Sequence, residues 1–129
     1  MSLLPRPLRT LAIGAGLSSM LAVAPALAAV EQEFEVKHTS QLVDLCAARQ
    51  GDPLYVEAAN FCHGYLVGVF SYYLAARKKG SKIRFCHLPP TRQEGVDRFV
   101  QWAKTHPAVA NELPVNAFFR FMDEAYACK

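Results

Sequence analysis

The chain has 129 residues, 52% of them hydrophobic and 19% charged, which is enough apolar material for one packed core and too short for two domains. Two of its 14 Lys and Arg and none of its 11 Asp and Glu lie in the first 28 residues, so the remainder carries a net charge of +1. A balance so near neutral disfavours a nucleic-acid partner.

The N-terminus predicts an export signal over residues 1–28. Arg6 and Arg9 precede a nearly wholly apolar run from Thr10 to Ala24, and Pro25-Ala26-Leu27-Ala28 ends on small residues at signal-peptidase spacing. The run falls short of the roughly 20 residues that a spanning helix needs, so no membrane association is expected after cleavage. No Cys follows Ala28, which argues against a lipoprotein, and no Arg pair marks a twin-arginine signal. The expected product is a single periplasmic domain over residues 29–129. It holds four cysteines, Cys46, Cys62, Cys86 and Cys128, and an even count in a short exported chain predicts a disulfide framework.

The residues after the signal predict an all-α, disulfide-stapled bundle of about four helices. Val30 to His38 reads as a polar leader. Ser40 is the expected N-cap of a short first helix that puts Leu42, Leu45 and Cys46 on one face. Gly51-Asp52-Pro53 stops it. A long second helix then runs from Leu54 to about Lys79, with Ala58, Phe61, Cys62, Tyr65, Val69, Tyr72, Tyr73 and Ala76 as one stripe.

The opposite face of this second helix, Leu66, Val67, Phe70 and Leu74, is apolar too. A helix apolar all round is covered on most sides, by its own chain or by a partner. Gly64, Tyr65 and Gly68 are therefore read as helix-packing positions. The two glycines suit close intramolecular backbone approach, with a homodimer seam as the alternative.

The segment from Arg77 to Pro90 is expected to be a loop, and Arg77, Lys78, Lys79, Lys82 and Arg84 stand in it without an acid. Thr91 and Glu94 form a capping-box signature for a third helix, with Val96, Phe99, Val100 and Ala103 inward. His106-Pro107 ends that helix, and Pro114 suits the first turn of a fourth. Phe118, Phe121, Met122, Ala125 and Cys128 mark its expected inner face, leaving Phe119 and Tyr126 outside.

The cysteines allow three pairings. Cys46 and Cys62 flank the turn between the first two helices, and Cys86 and Cys128 lie at adjoining ends of the last two. Antiparallel neighbours bring each pair together, so Cys46–Cys62 and Cys86–Cys128 are expected. A zinc site has no C-x₂₋₄-C or H-x₃₋₅-H knuckle to build on, and neither C-x-x-C-H nor C-x-x-C occurs. G-x-S-x-G, a phosphate-binding glycine loop and H-E-x-x-H are also missing, so no catalytic residue, metal or cofactor is expected.

Cys62-His63-Gly64-Tyr65-Leu66-Val67-Gly68-Val69 resembles the C-x-G-Y-[IV]-x-G-[VI] signature of the Tai-type (Rap/Tai) immunity proteins. The resemblance continues through Cys86-His87-Leu88-Pro89, Thr91 with Gln93, the helix from Val96 to Trp102, His106-Pro107, Leu113-Pro114 and Cys128. Two departures stand out: His87 is an extra residue before Leu88-Pro89, and Tyr126-Ala127-Cys128 stands where the family often has Phe-Pro-Cys. The resemblance implies an HdeA-like helical fold and a non-enzymatic periplasmic protein. It also implies inhibition of a peptidoglycan amidase, delivered by type VI secretion, through occlusion of the amidase's active site. The alternative is a periplasmic acid-stress chaperone or general helical interaction module, which would open in acid.

Partner contacts are expected on exposed loops rather than in the helical signature. The basic residues Arg77, Lys78, Lys79, Lys82 and Arg84 come first, the turn from His106 to Leu113 second, and Phe119 and Tyr126 form an expected apolar contact patch.

Overall fold

The computed structural model describes residues 31–129, apart from the side chain of Gln32; the expected signal and its cleavage site lie outside the described residues. Four helices follow one another: α1 (Thr39–Cys46), α2 (Tyr55–Ala76), α3 (Arg92–Thr105) and α4 (Pro114–Tyr126). Short 3-10 turns stand at Glu31–Glu35 and Pro107–Val109. The fold is all-α, and among the described residues the β-type pairing is an isolated antiparallel bridge between Phe85 and Ala127.

Helix α1 starts one residue before the expected cap, and its first turn is satisfied from outside the helix. The Thr39 N–H and hydroxyl both donate to the Glu112 carbonyl at 2.9 Å, and the Ser40 N–H donates to the Ala110 carbonyl. Gln41 Oε1 accepts from the N–H groups of Lys37 and His38. These bonds satisfy donors that a helix start otherwise leaves open. They also bury Thr39 and tie the turn after α3 to α1.

Helix α2 ends at Ala76, about a turn sooner than expected. Arg77 is extended and its guanidinium donates to the Ser81 carbonyl at 2.6 Å. The Ser81 N–H returns to Lys78, and Gly80 takes the left-handed conformation that this turn needs. Helix α3 behaves as its sequence predicts: Thr91 Oγ1 accepts from the Glu94 N–H at 3.1 Å, and Val96, Phe99, Val100 and Ala103 are buried. Pro114 opens α4 at its first turn.

The core gathers around Phe99, with Leu42 of α1, Cys62 and Leu66 of α2, Val100 of α3, and Phe118, Phe121 and Met122 of α4. Two disulfides staple it. Cys46–Cys62 joins α1 to α2 and Cys86–Cys128 ties the loop before α3 to the chain end, with Cα separations of 5.1 and 5.0 Å. The second staple is reinforced by the backbone, since the Cys86 N–H donates to Tyr126 and the Cys128 N–H to Arg84.

Two inward-facing assignments change. On α2 the buried positions are Ala58, Cys62 and Leu66, while Tyr72 and Ala76 of the expected stripe face solvent. On α4 Ala125 is exposed and Tyr126 is buried at 4% exposure. The bridge and disulfide beside Phe85 draw the last turn of α4 inward, and Tyr126 packs edge-on against Phe121.

Candidate functional site

The helix α2 carries no charged side chain from Ala58 to Ala76. A surface helix normally shows a charged or polar outer face. Here the outer face is Gly64, Val67, Gly68, Ser71, Leu74 and Ala75, all exposed, with Tyr72 beside them at 76% exposure. A Cβ placed at Gly64 or Gly68 meets nothing within 4 Å, so the expected intramolecular close approach at these glycines is not made among the described residues. Tyr65, the third packing position, does turn in: it stacks on Phe61 at 6.2 Å, and burial pushes its phenol above the usual value. The glycine that packs closely is Gly95 of α3, where a Cβ would come within 3.1 Å of the Pro89 ring. A glycine inside an otherwise good helix was its only sequence signal.

Two grooves flank the outer face of α2. One, of about 350 Å³, runs between α2 and the segment Leu88–Arg92, with Phe70, Met122 and Tyr126 in its floor. At its rim His63 Nε2 lies 3.1 Å from Gln93 Oε1, and Gln93 Nε2 donates to Asp97, which orders this edge. The other groove, of about 460 Å³, is lined by Gly68, Val69, Tyr72, Tyr73, Ala76, Val115 and Phe119. The extra residue His87 stands at the start of the first groove's loop with φ 53°, a left-handed conformation that lets the chain turn from Cys86 into Leu88-Pro89.

The five basic loop residues divide. Arg84 forms an ion pair with Asp123 of α4 and lies over the Phe85 ring at 5.2 Å, and Arg77 is held by Ser81. Lys78, Lys79 and Lys82 are exposed and form no ion pair among the described residues. Of the expected apolar patch, Phe119 is half-buried against Tyr73 and Phe85, while Tyr126 is inside and offers no outer surface. The turn from His106 to Leu113 is a strut rather than a free loop, because its carbonyls cap α1 and Val109 is buried.

Beside that strut sits a cluster that composition did not announce. The His106 ring stacks on Trp102 at 4.4 Å, its Nδ1 lies 2.7 Å from the Trp102 carbonyl, and Trp102 Nε1 donates to Glu124 at 2.6 Å. All four cysteines are in disulfides, so neither Cys62-His63 nor Cys86-His87 presents a thiol for chemistry.

The stapled core, from the helix-capping His38 to Cys128, is also the part of the chain with recognisable relatives. The sequence matches the family of Rap1a immunity proteins over residues 38–128. The chain belongs to this family. No curated protein and no solved structure matches it. As a Rap1a-family protein it is an immunity protein with a non-catalytic role, and its partner is an effector protein. The family match spans every helix and both disulfides, including the uncovered face of α2. No described helix is long and apolar enough to cross a membrane.

Proposed function

We propose that this Rap1a-family protein acts in the periplasm, after removal of residues 1–28, by binding a peptidoglycan amidase delivered by type VI secretion. It inhibits the amidase by covering the active-site groove. The observation that carries the reading is the uncharged, exposed face of α2 between its two apolar grooves. An uncovered apolar face of this kind marks a protein contact. The small residues Gly64, Gly68 and Ala75 allow close approach, and the grooves beside them accept the partner's side chains. A second copy of the chain is the competing occupant of the same face.

The test uses the oxidised mature chain, residues 29–129, mixed with type VI peptidoglycan amidases in a muropeptide-cleavage assay. One amidase should be inhibited at equimolar ratio, and Val67→Asp and Gly68→Arg should abolish inhibition without lowering the melting temperature. Failure to inhibit any amidase overturns the amidase assignment. Full inhibition by both variants moves the interface off α2, and a dimer that only these variants dissociate assigns the face to self-association.

A further inference from the structure

From Ala58 to Gln93 the chain contains no Asp or Glu but six basic residues: Arg77, Lys78, Lys79, Lys82, Arg84 and Arg92. All 11 acids lie in the rest of the molecule, so a net charge near zero conceals a strong separation of charge. The basic part comes to a tip. The end of α2 turns through Lys78–Ser81 and returns along itself until Phe85 meets Tyr73 at 5.3 Å. Every residue from Leu74 to Arg84 except Arg77 is exposed, Leu74 at 49% and Ile83 at 65%.

We propose that this tip docks on an anionic lipid surface, with Lys78, Lys79 and Lys82 against headgroup phosphates and Leu74 and Ile83 entering the headgroup layer. Three observations favour lipid over an acidic protein. The second groove reaches Ala76 at the base of the tip, but none of residues 77–84 lines either groove, so neither offers these residues a pocket for a protein anchor. The tip's own two arginines, Arg77 and Arg84, which could give two-point recognition, are engaged internally by Ser81 and Asp123. What remains is three long-stemmed point charges around exposed aliphatic side chains, the composition of an interfacial membrane contact. The site adjoins the α2 face assigned to the effector and shares Leu74 with it, but its three lysines lie beyond that face and the proposal does not depend on that reading.

Flotation of residues 29–129 with vesicles tests it. Vesicles of phosphatidylglycerol mixed with phosphatidylcholine should carry the protein at low ionic strength, and vesicles of phosphatidylcholine alone should not. Added salt should release it, because the Debye length shortens. Each of Lys78→Gln, Lys79→Gln and Lys82→Gln should weaken binding about fivefold, and the triple variant about a hundredfold. Ile83→Ser should weaken it further with the fold intact by circular dichroism. No binding to anionic vesicles at low salt overturns the proposal, as does binding undiminished in the triple variant. If the triple variant loses amidase inhibition but keeps vesicle binding, the tip is a protein interface and the proposal falls.

Discussion

Arg84 and Asp123, 39 residues apart, meet in a two-point ion pair: Arg84 Nε donates to Oδ1 at 2.7 Å and its terminal NH₂ to Oδ2. The pair fixes the basic loop to α4 just beside the Cys86–Cys128 staple. Both side chains are about half exposed, at 51% and 40%, so solvent screens the attraction. Arg84→Ala should therefore destabilise the fold by no more than about 1 kcal/mol. Chemical denaturation of Arg84→Ala, Asp123→Ala and the double variant should give a coupling within that limit. A coupling of several kcal/mol would contradict this account.

Gly64 and Gly68 occupy helix with open space outside them. Gly64→Ala and Gly68→Ala should each stabilise the isolated chain by about 0.5–1 kcal/mol, because alanine loses less backbone entropy in a helix. The same changes should weaken effector binding if a partner backbone approaches there. Thermal melts and titration calorimetry read the two effects, and destabilisation by either alanine would mean that the face is already covered.

Tyr126 is buried at 4% exposure, and its hydroxyl, close to the Arg98 guanidinium that pairs with Glu94, is in hydrogen-bond geometry with no group among the described residues. An unsatisfied buried hydroxyl costs about 1–3 kcal/mol. Tyr126→Phe, which introduces the residue that the resembling Phe-Pro-Cys pattern has at this position, should thus be neutral or raise the melting temperature. A loss above about 1 kcal/mol would show that the hydroxyl has a partner.

The staples close loops of different length, with sequence separations of 16 and 42. In the chain-entropy model removing Cys46–Cys62 costs about 3 kcal/mol and Cys86–Cys128 about 4 kcal/mol. Cys→Ser pairs compared by denaturation should keep that order. Loss of Cys86–Cys128 should also raise hydrogen exchange at the Cys86 and Cys128 amides, which it holds in the bridge to α4.

Burial raises the Tyr65 phenol above its ordinary value. The folded state therefore keeps this proton where the unfolded chain has lost it. The associated stability is fully present below the unfolded tyrosine value near 10 and declines as pH rises through the folded one. Ultraviolet titration should show Tyr65 ionising late, and Tyr65→Phe should remove that phase. A titration unchanged by Tyr65→Phe would refute the assignment.

Where one face of a helix is polar, the amino-acid pattern alone placed it. The stripe Val96, Phe99, Val100 and Ala103 lies between charged positions on α3, and burial follows the pattern. The Thr91 cap and the Pro114 start are local, set by backbone donors within one turn. The helical architecture and the family were legible for the same reason: turn residues, caps and cysteines act at fixed short spacings.

The tertiary structure decided what uniform hydrophobicity left open. On α2 every angular position between Tyr65 and Ala76 is apolar or nearly so, and periodicity has no phase to report. Neighbouring helices chose Leu66 for the core and left Val67, Tyr72 and Leu74 outside. Tyr126 was turned inward by the bridge from Phe85 and the disulfide, interactions that join distant segments. Charge followed the same rule. The run of basic residues was visible in the sequence, but only folding spent Arg84 on Asp123 and Arg77 on Ser81 and left three lysines free at one end.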